Sequence, residues 1–128
     1  MNQQEINIPK IILEWSEWYS WKEFLLDARK IESAVKVPNK KGVYEVINET
    51  NNEMLTIGKA GNLRMRVKQG LVKGKVAHSS GKKINISEDT AHIKIRWAIT
   101  DRPSAVEEEL HQQFIKIHKK LPKYTEHT

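Results

Sequence analysis

The chain has 128 residues, no cysteine, and 22 lysines and arginines against 16 aspartates and glutamates. That length fits one domain with a core of its own. The missing cysteine excludes disulfides, thiol nucleophiles and Cys-ligated zinc. The positive balance favours a polyanionic partner, nucleic acid before membrane. With no charged-then-apolar leader and no run of about 18 apolar residues, the expectation is a soluble, cytoplasmic protein without a membrane partner.

Residues 1–10 read as polar and irregular. The next stretch holds three of the four tryptophans, Trp15, Trp18 and Trp21. Ser20 and Glu23 have the spacing of a capping box, and Trp21, Phe24, Leu25, Ala28 and Ile31 recur at helical spacing, so a helix is expected over 21–33. The tryptophans read as core or docking residues before base-stacking ones. A turn-rich VPNKKG leads into GVYEVIN, whose alternation predicts a strand. The polar NETNNE predicts a hairpin turn and MLTIG a second strand. GNLRMRVKQGLV reads as a helix with Leu63, Val67 and Leu71 inward and a cap at Asn62 or Gly61. KGKVAHSSGKK, residues 73–83, reads as a mobile basic loop. In AHIKIRWAIT, Ile93, Ile95, Trp97 and Ile99 alternate with His92, Lys94 and Arg96, which predicts a third strand. Pro103 and Ser104 start a helix whose buried stripe is expected at Val106, Leu110, Phe114 and Ile117.

The order predicts an α+β fold: one small three-stranded antiparallel sheet flanked by helices. The division expected is an N-terminal helical extension over 1–36 and a main domain over 37–128.

Two features carry chemistry. TIGKAGNLRMR, residues 56–66, joins a strand to a helix through two glycines and ends on Arg64 and Arg66. An arginine fork pairs bidentately with phosphate oxygens, and close backbone approach beside a helix start favours anions. Glu107 lies on the side of its helix that carries Leu110 and Phe114, at the border of the buried stripe, whereas Glu108 points about 100° further round. A carboxylate there can hold a metal or close a capping box with Ser104, and the two roles need not exclude each other. The histidines offer no HxxxH or HExxH spacing, and no Walker-type or dinucleotide glycine motif is present.

Gly42-Val43-Tyr44, eleven residues, Thr56-Ile57-Gly58, then Asn62-Leu63 and Arg66, a later helix with Glu107 and Leu110, and a closing Leu-Pro-Lys-Tyr together resemble the GIY-YIG nuclease domain over residues 37–125. The resemblance implies a DNA endonuclease using Mg²⁺ or Mn²⁺. Tyr44 would sit beside the scissile phosphate and orient or activate water, Arg66 would contact the phosphate, and Glu107 would hold the metal. Lys59, Arg64 and the basic loop with Lys73, Lys75, Lys82 and Lys83 would supply backbone contacts. Several family members carry a His or Tyr one helical turn after the arginine, where this chain has Gly70, and His78 of the basic loop would substitute there as a proton donor or second base. The chain departs from the family pattern at Thr56, usually tyrosine, and at Thr125, usually asparagine. Those departures leave open a catalytically inactive nucleic-acid-binding module of the same fold. The Trp-rich N-terminal helix leaves open a protein partner or self-association.

Overall fold

The computed structural model describes residues 2–5, 10–27, 35–72 and 80–125. Its frame is an antiparallel sheet of four strands, β1 (Tyr19–Ser20), β2 (Gly42–Asn48), β3 (Glu53–Ala60) and β4 (Ile93–Ile99), in the spatial order β1-β4-β2-β3. The three expected strands are present. The fourth corrects the expectation of three: it comes from the N-terminal region, where Tyr19 and Ser20 pair with Ile95 and Lys94.

That strand was hidden because its signal is two residues long and sits among tryptophans. The chain ahead of it also lies along β4: the Ser16 amide donates to the Trp97 carbonyl at 2.8 Å and the Trp97 amide donates to Ser16 Oγ at 3.0 Å. Trp15 and Trp18 therefore precede the helix. Their rings lie 4.2 and 4.6 Å from the Arg96 guanidinium, which in turn pairs with the buried Glu45 at 2.7 Å. Stacked between two rings and bonded to a carboxylate, Arg96 is a docking post for the N-terminal segment. Trp21 is fully buried, so the three tryptophans serve core and docking.

Helix α1 (Trp21–Asp27) opens with the predicted capping box, the Ser20 amide donating to Glu23 Oε2 at 2.8 Å. The remainder of the expected 21–33 helix, from residue 28 on, lies outside the described residues. The β2–β3 hairpin turns as the asparagines predict. Asn48 Oδ1 accepts from the Thr50 amide and Asn51 Oδ1 from Glu53, while Asn52 takes the left-handed φ of 57°.

Alternation along β2 assigns the two faces of the sheet. Tyr44 and Val46 join Ile93, Ile95, Trp97 and the helices after β3 in the main core, whereas Val43 and Ala98 pack with Val106 of the last helix in a smaller one. After β3 comes α2 (Leu63–Met65), which widens into a π-helical stretch over Arg66–Val72 and buries Leu63, Val67 and Leu71 as expected. Asn85 ties its end by donating to the carbonyls of Leu71 and Val72.

Asn85 belongs to α3 (Ser80–Ser87), which corrects the second expectation: residues 80–83 are helical and not loop. Gly and Ser at 80–81 mask the signal, but the fully buried Ile84 supplies the packing that holds the turn. The long helix α4 (Pro103–His118) lies against β3 and β2. Its inner face holds Val106 and His111, with Leu110 and Phe114 half-buried. Ile117, expected in that stripe, is 73% exposed.

Candidate active site

Tyr44 lies at the centre of the motif-bearing residues. Its strand neighbours across the sheet are Gly58 on β3 and Trp97 on β4. The phenol extends over Gly58, where any Cβ would run into the Tyr44 ring and hydroxyl. Gly58 is therefore a glycine for the sake of Tyr44, and not for a turn: β3 continues through Lys59 to Ala60. At Gly61, by contrast, a side-chain methyl would meet nothing within 4 Å.

The expected anion cradle at the start of α2 is not formed. The amides of Leu63 and Arg64 donate to the carbonyls of Lys40 and Pro38 at 2.9 and 3.2 Å, and the Met65 amide donates to Asn62 Oδ1 at 3.2 Å. Arg64 is likewise committed, its Nε donating to the Val37 carbonyl at 3.0 Å. These bonds weld the 37–40 connector to α2. The backbone at this corner is used up, so phosphate recognition there falls to side chains.

Arg66 is the side chain left. It is exposed, it opens the π-helical stretch, and its charge acts on the Tyr44 phenol. Glu107, on α4, acts on the same phenol from another element. Burial, the largest influence, pushes the Tyr44 hydroxyl up to about 12, with Arg66 pulling it down and Glu107 pushing it up. The charges of Arg66 and Glu107 thus both reach the phenol of Tyr44. Among the described residues none of the three engages its polar end in a hydrogen bond or ion pair.

The alternative role for Glu107 falls away. Arg102 is the N-cap of α4 and Pro103 its first residue, so Ser104 sits inside the helix and cannot form a capping box with Glu107. Ser104 instead accepts from Lys59 Nζ at 3.0 Å. Lys59 is on the opposite sheet face from Tyr44, paired with Val43, and reaches the first turn of the helix that carries Glu107. Glu107 is half-buried and Glu108 exposed, the arrangement expected of a border carboxylate.

Among the described residues no three His, Cys, Asp or Glu side chains gather into an all-protein metal cage. A magnesium-type ion takes one or two carboxylates and completes its shell with phosphate oxygens and waters. A single uncommitted carboxylate, its charge felt by the same phenol as that of an arginine that can hold a phosphate, fits that demand.

The two departures from the motif meet each other. Thr56 Oγ1 and Thr125 Oγ1 are 2.9 Å apart, the Ile57 amide donates to Thr125 Oγ1 at 3.3 Å, and Ser80 Oγ donates to the Tyr124 carbonyl at 2.7 Å. With the Tyr124 amide on the Leu55 carbonyl at 2.7 Å, these bonds lay the C-terminal segment along the outer edge of β3. His78, Lys73 and Lys75 lie outside the described residues. Lys82 is exposed on α3 and Lys83 half-exposed beside it.

The residue sequence reasoning missed is His111. It is fully buried, and its Nε2 lies 2.8 Å from the Ile57 carbonyl oxygen. The signal available was its position one helical turn after Glu107 on the inward side. No helix among the described residues is long and apolar enough to cross a membrane. No family model, no curated protein and no solved structure matches the chain.

Proposed function

We propose that the chain is a divalent-metal-dependent DNA endonuclease of the GIY-YIG type. The observation that carries this reading is the convergence of Tyr44, Arg66 and Glu107 from three separate elements with their polar ends uncommitted among the described residues. Functional groups left unpaired within electrostatic reach of one phenol are candidates for binding something outside the chain. The excess of positive charge supports a polyanionic substrate.

Hydrolysis of a phosphodiester adds a water oxygen to phosphorus and breaks one P–O ester bond. Arg66 holds the non-bridging oxygens through its paired N–H donors and offsets the charge that gathers on them. Tyr44 is a neutral phenol at the pH of any ordinary assay, being pushed up to about 12, and so orients the water or phosphate by hydrogen bonding. Glu107 would hold Mg²⁺ or Mn²⁺, which when bound supplies Lewis-acid relief at the phosphate. Lys59, beside the first turn of α4, and the exposed Lys82 extend the positive surface for the flanking backbone.

The test is nicking of supercoiled plasmid with and without Mg²⁺ or Mn²⁺, with Glu107→Ala alongside. Metal-dependent nicking that disappears in the variant upholds the reading. One observation favours a second reading, a binding module without catalysis: burial moves Tyr44 away from the ionisation a base would need. On that reading DNA is bound with steep salt dependence and left intact in every metal.

A further inference from the structure

His111 is fully buried on α4 and has no part in the chemistry above. A carbonyl oxygen only accepts, so Nε2, facing the Ile57 carbonyl at 2.8 Å, carries the proton. In the neutral ring Nδ1 is then a lone pair, buried and without a hydrogen-bond partner among the described residues. A leucine would fill similar space without burying an unpaired acceptor, so packing alone does not account for an imidazole here. What the imidazole adds is a directional link of fixed length between a helix and one peptide group.

That peptide group is well chosen. Ile57 precedes Gly58, the residue over which the Tyr44 phenol extends. The two outward groups of Ile57 are both taken, the carbonyl by His111 and the amide by Thr125. Glu107 sits four residues before His111, one turn away on the same side of α4. A slip of α4 by one residue would move Glu107 by about 1.5 Å and turn it about 100°.

We infer that His111 is a positioning residue for the candidate site: by pinning α4 to the Ile57 carbonyl it fixes where Glu107 stands relative to the phenol of Tyr44. This rests on the nuclease reading only for its purpose, since the positioning itself is a property of the folded chain.

The experiment therefore reads position without needing cleavage. A fluorinated tyrosine, whose phenol ionises at lower pH than tyrosine, is placed at position 44 and titrated by ¹⁹F NMR in the full chain. Glu107→Gln removes a charge that pushes this phenol up, so the midpoint falls. In a His111→Leu background the same Glu107→Gln change is expected to lose most of that shift. In His111→Gln, whose amide N–H can still donate to the carbonyl, the shift returns. Plasmid nicking on the same variants should fall on the order of 100-fold in His111→Leu at unchanged DNA affinity, the scale of a misplacement near 1 Å. A Glu107 shift undiminished in a folded His111→Leu chain overturns the inference. Absence of nicking by the parent chain in every metal overturns the nuclease reading instead, and leaves the ¹⁹F result to decide the positioning.

Discussion

Glu88, Tyr124 and Lys123 form one cluster; Glu107, Tyr44 and Arg66 form another, of the same three chemical types. In the first cluster everything is paired. The Glu88 carboxylate accepts from Tyr124 Oη at 2.6 Å, from Lys123 Nζ at 2.8 Å and from Asn48 Nδ2 at 3.4 Å. In the second cluster the same types of group sit within electrostatic reach of each other and none is bonded among the described residues. The difference teaches how to tell a brace from a candidate site. The Glu88 cluster fastens the C-terminal segment against β3 and the end of α3, and a brace works by spending its hydrogen-bonding capacity inside the chain. A site for an outside ligand has to keep that capacity unspent.

The sharpest way to break this comparison is to delete the unspent groups. Arg66→Ala and Glu107→Ala should each lower nicking on the order of 10²–10³-fold. Both should keep thermal stability within about 0.5 kcal/mol, because no internal bond is lost. A large fall in melting temperature for either would turn the second cluster into another brace.

Gly58→Ala probes the contact on which the open cluster is built. The added methyl meets the Tyr44 ring and hydroxyl, so the phenol has to swing away or the strands have to part. Overpacking of this kind costs about 1–3 kcal/mol, read by urea unfolding. Nicking should fall further than the unfolded fraction explains. Gly61→Ala, with open space around it, is the control and should change neither.

Glu88→Gln tests the brace. Burial alone would raise this carboxyl, but the hydrogen bonds from Lys123, Tyr124 and Asn48 outweigh it and hold Glu88 below the usual carboxylate range. A depressed carboxyl stabilises the folded state above its unfolded value near 4.5, and that contribution is lost as pH falls through the folded value. At neutral pH the variant should lose about 1–3 kcal/mol. The gap between parent and variant should close as the pH falls from the unfolded value through the depressed folded one. Nicking per folded molecule should stay unchanged.

How far the sequence foretold all this depended on how local each signal was. The β2–β3 hairpin, β4 and α4 were legible because alternation, asparagines and Pro103 act within a few residues. The role of Gly58 was not, since its reason is the tyrosine opposite it on another strand. The expectation that both glycines of GKAG serve the strand-to-helix junction failed for the same cause, since β3 runs on to Ala60. Strand β1 and α3 escaped because two residues of pairing and one buried isoleucine carry no period. At the candidate site, helical spacing foretold that Glu107 is half-buried and Glu108 exposed, while the roles of Tyr44, Arg66 and Glu107 rest on the resemblance alone. The use of Arg64 and the α2 amides to weld the connector was not legible, because it depends on carbonyls more than twenty residues away. Nor was the pairing of Thr56 with Thr125, which joins positions 69 residues apart.

The smallest effect separates two uses of Tyr44. Its phenol is raised to about 12 by burial, so the folded chain favours the neutral form. The corresponding stability is complete below the unfolded value of 10 and falls as pH climbs through the folded one. Between pH 6 and 9 the hydroxyl can then orient water but cannot hold a negative charge. Tyr44→Phe should lower nicking only about tenfold, the worth of one oriented hydrogen bond near 1.4 kcal/mol. The shape of the pH–rate profile across that range should be the same in parent and variant. A parental rate that climbs tenfold per pH unit, with a slope that vanishes in Tyr44→Phe, would mean that bound metal draws the phenol down into the working range. Tyr44 would then be the base, and the open cluster would owe its reactivity to the ion more than to its arrangement.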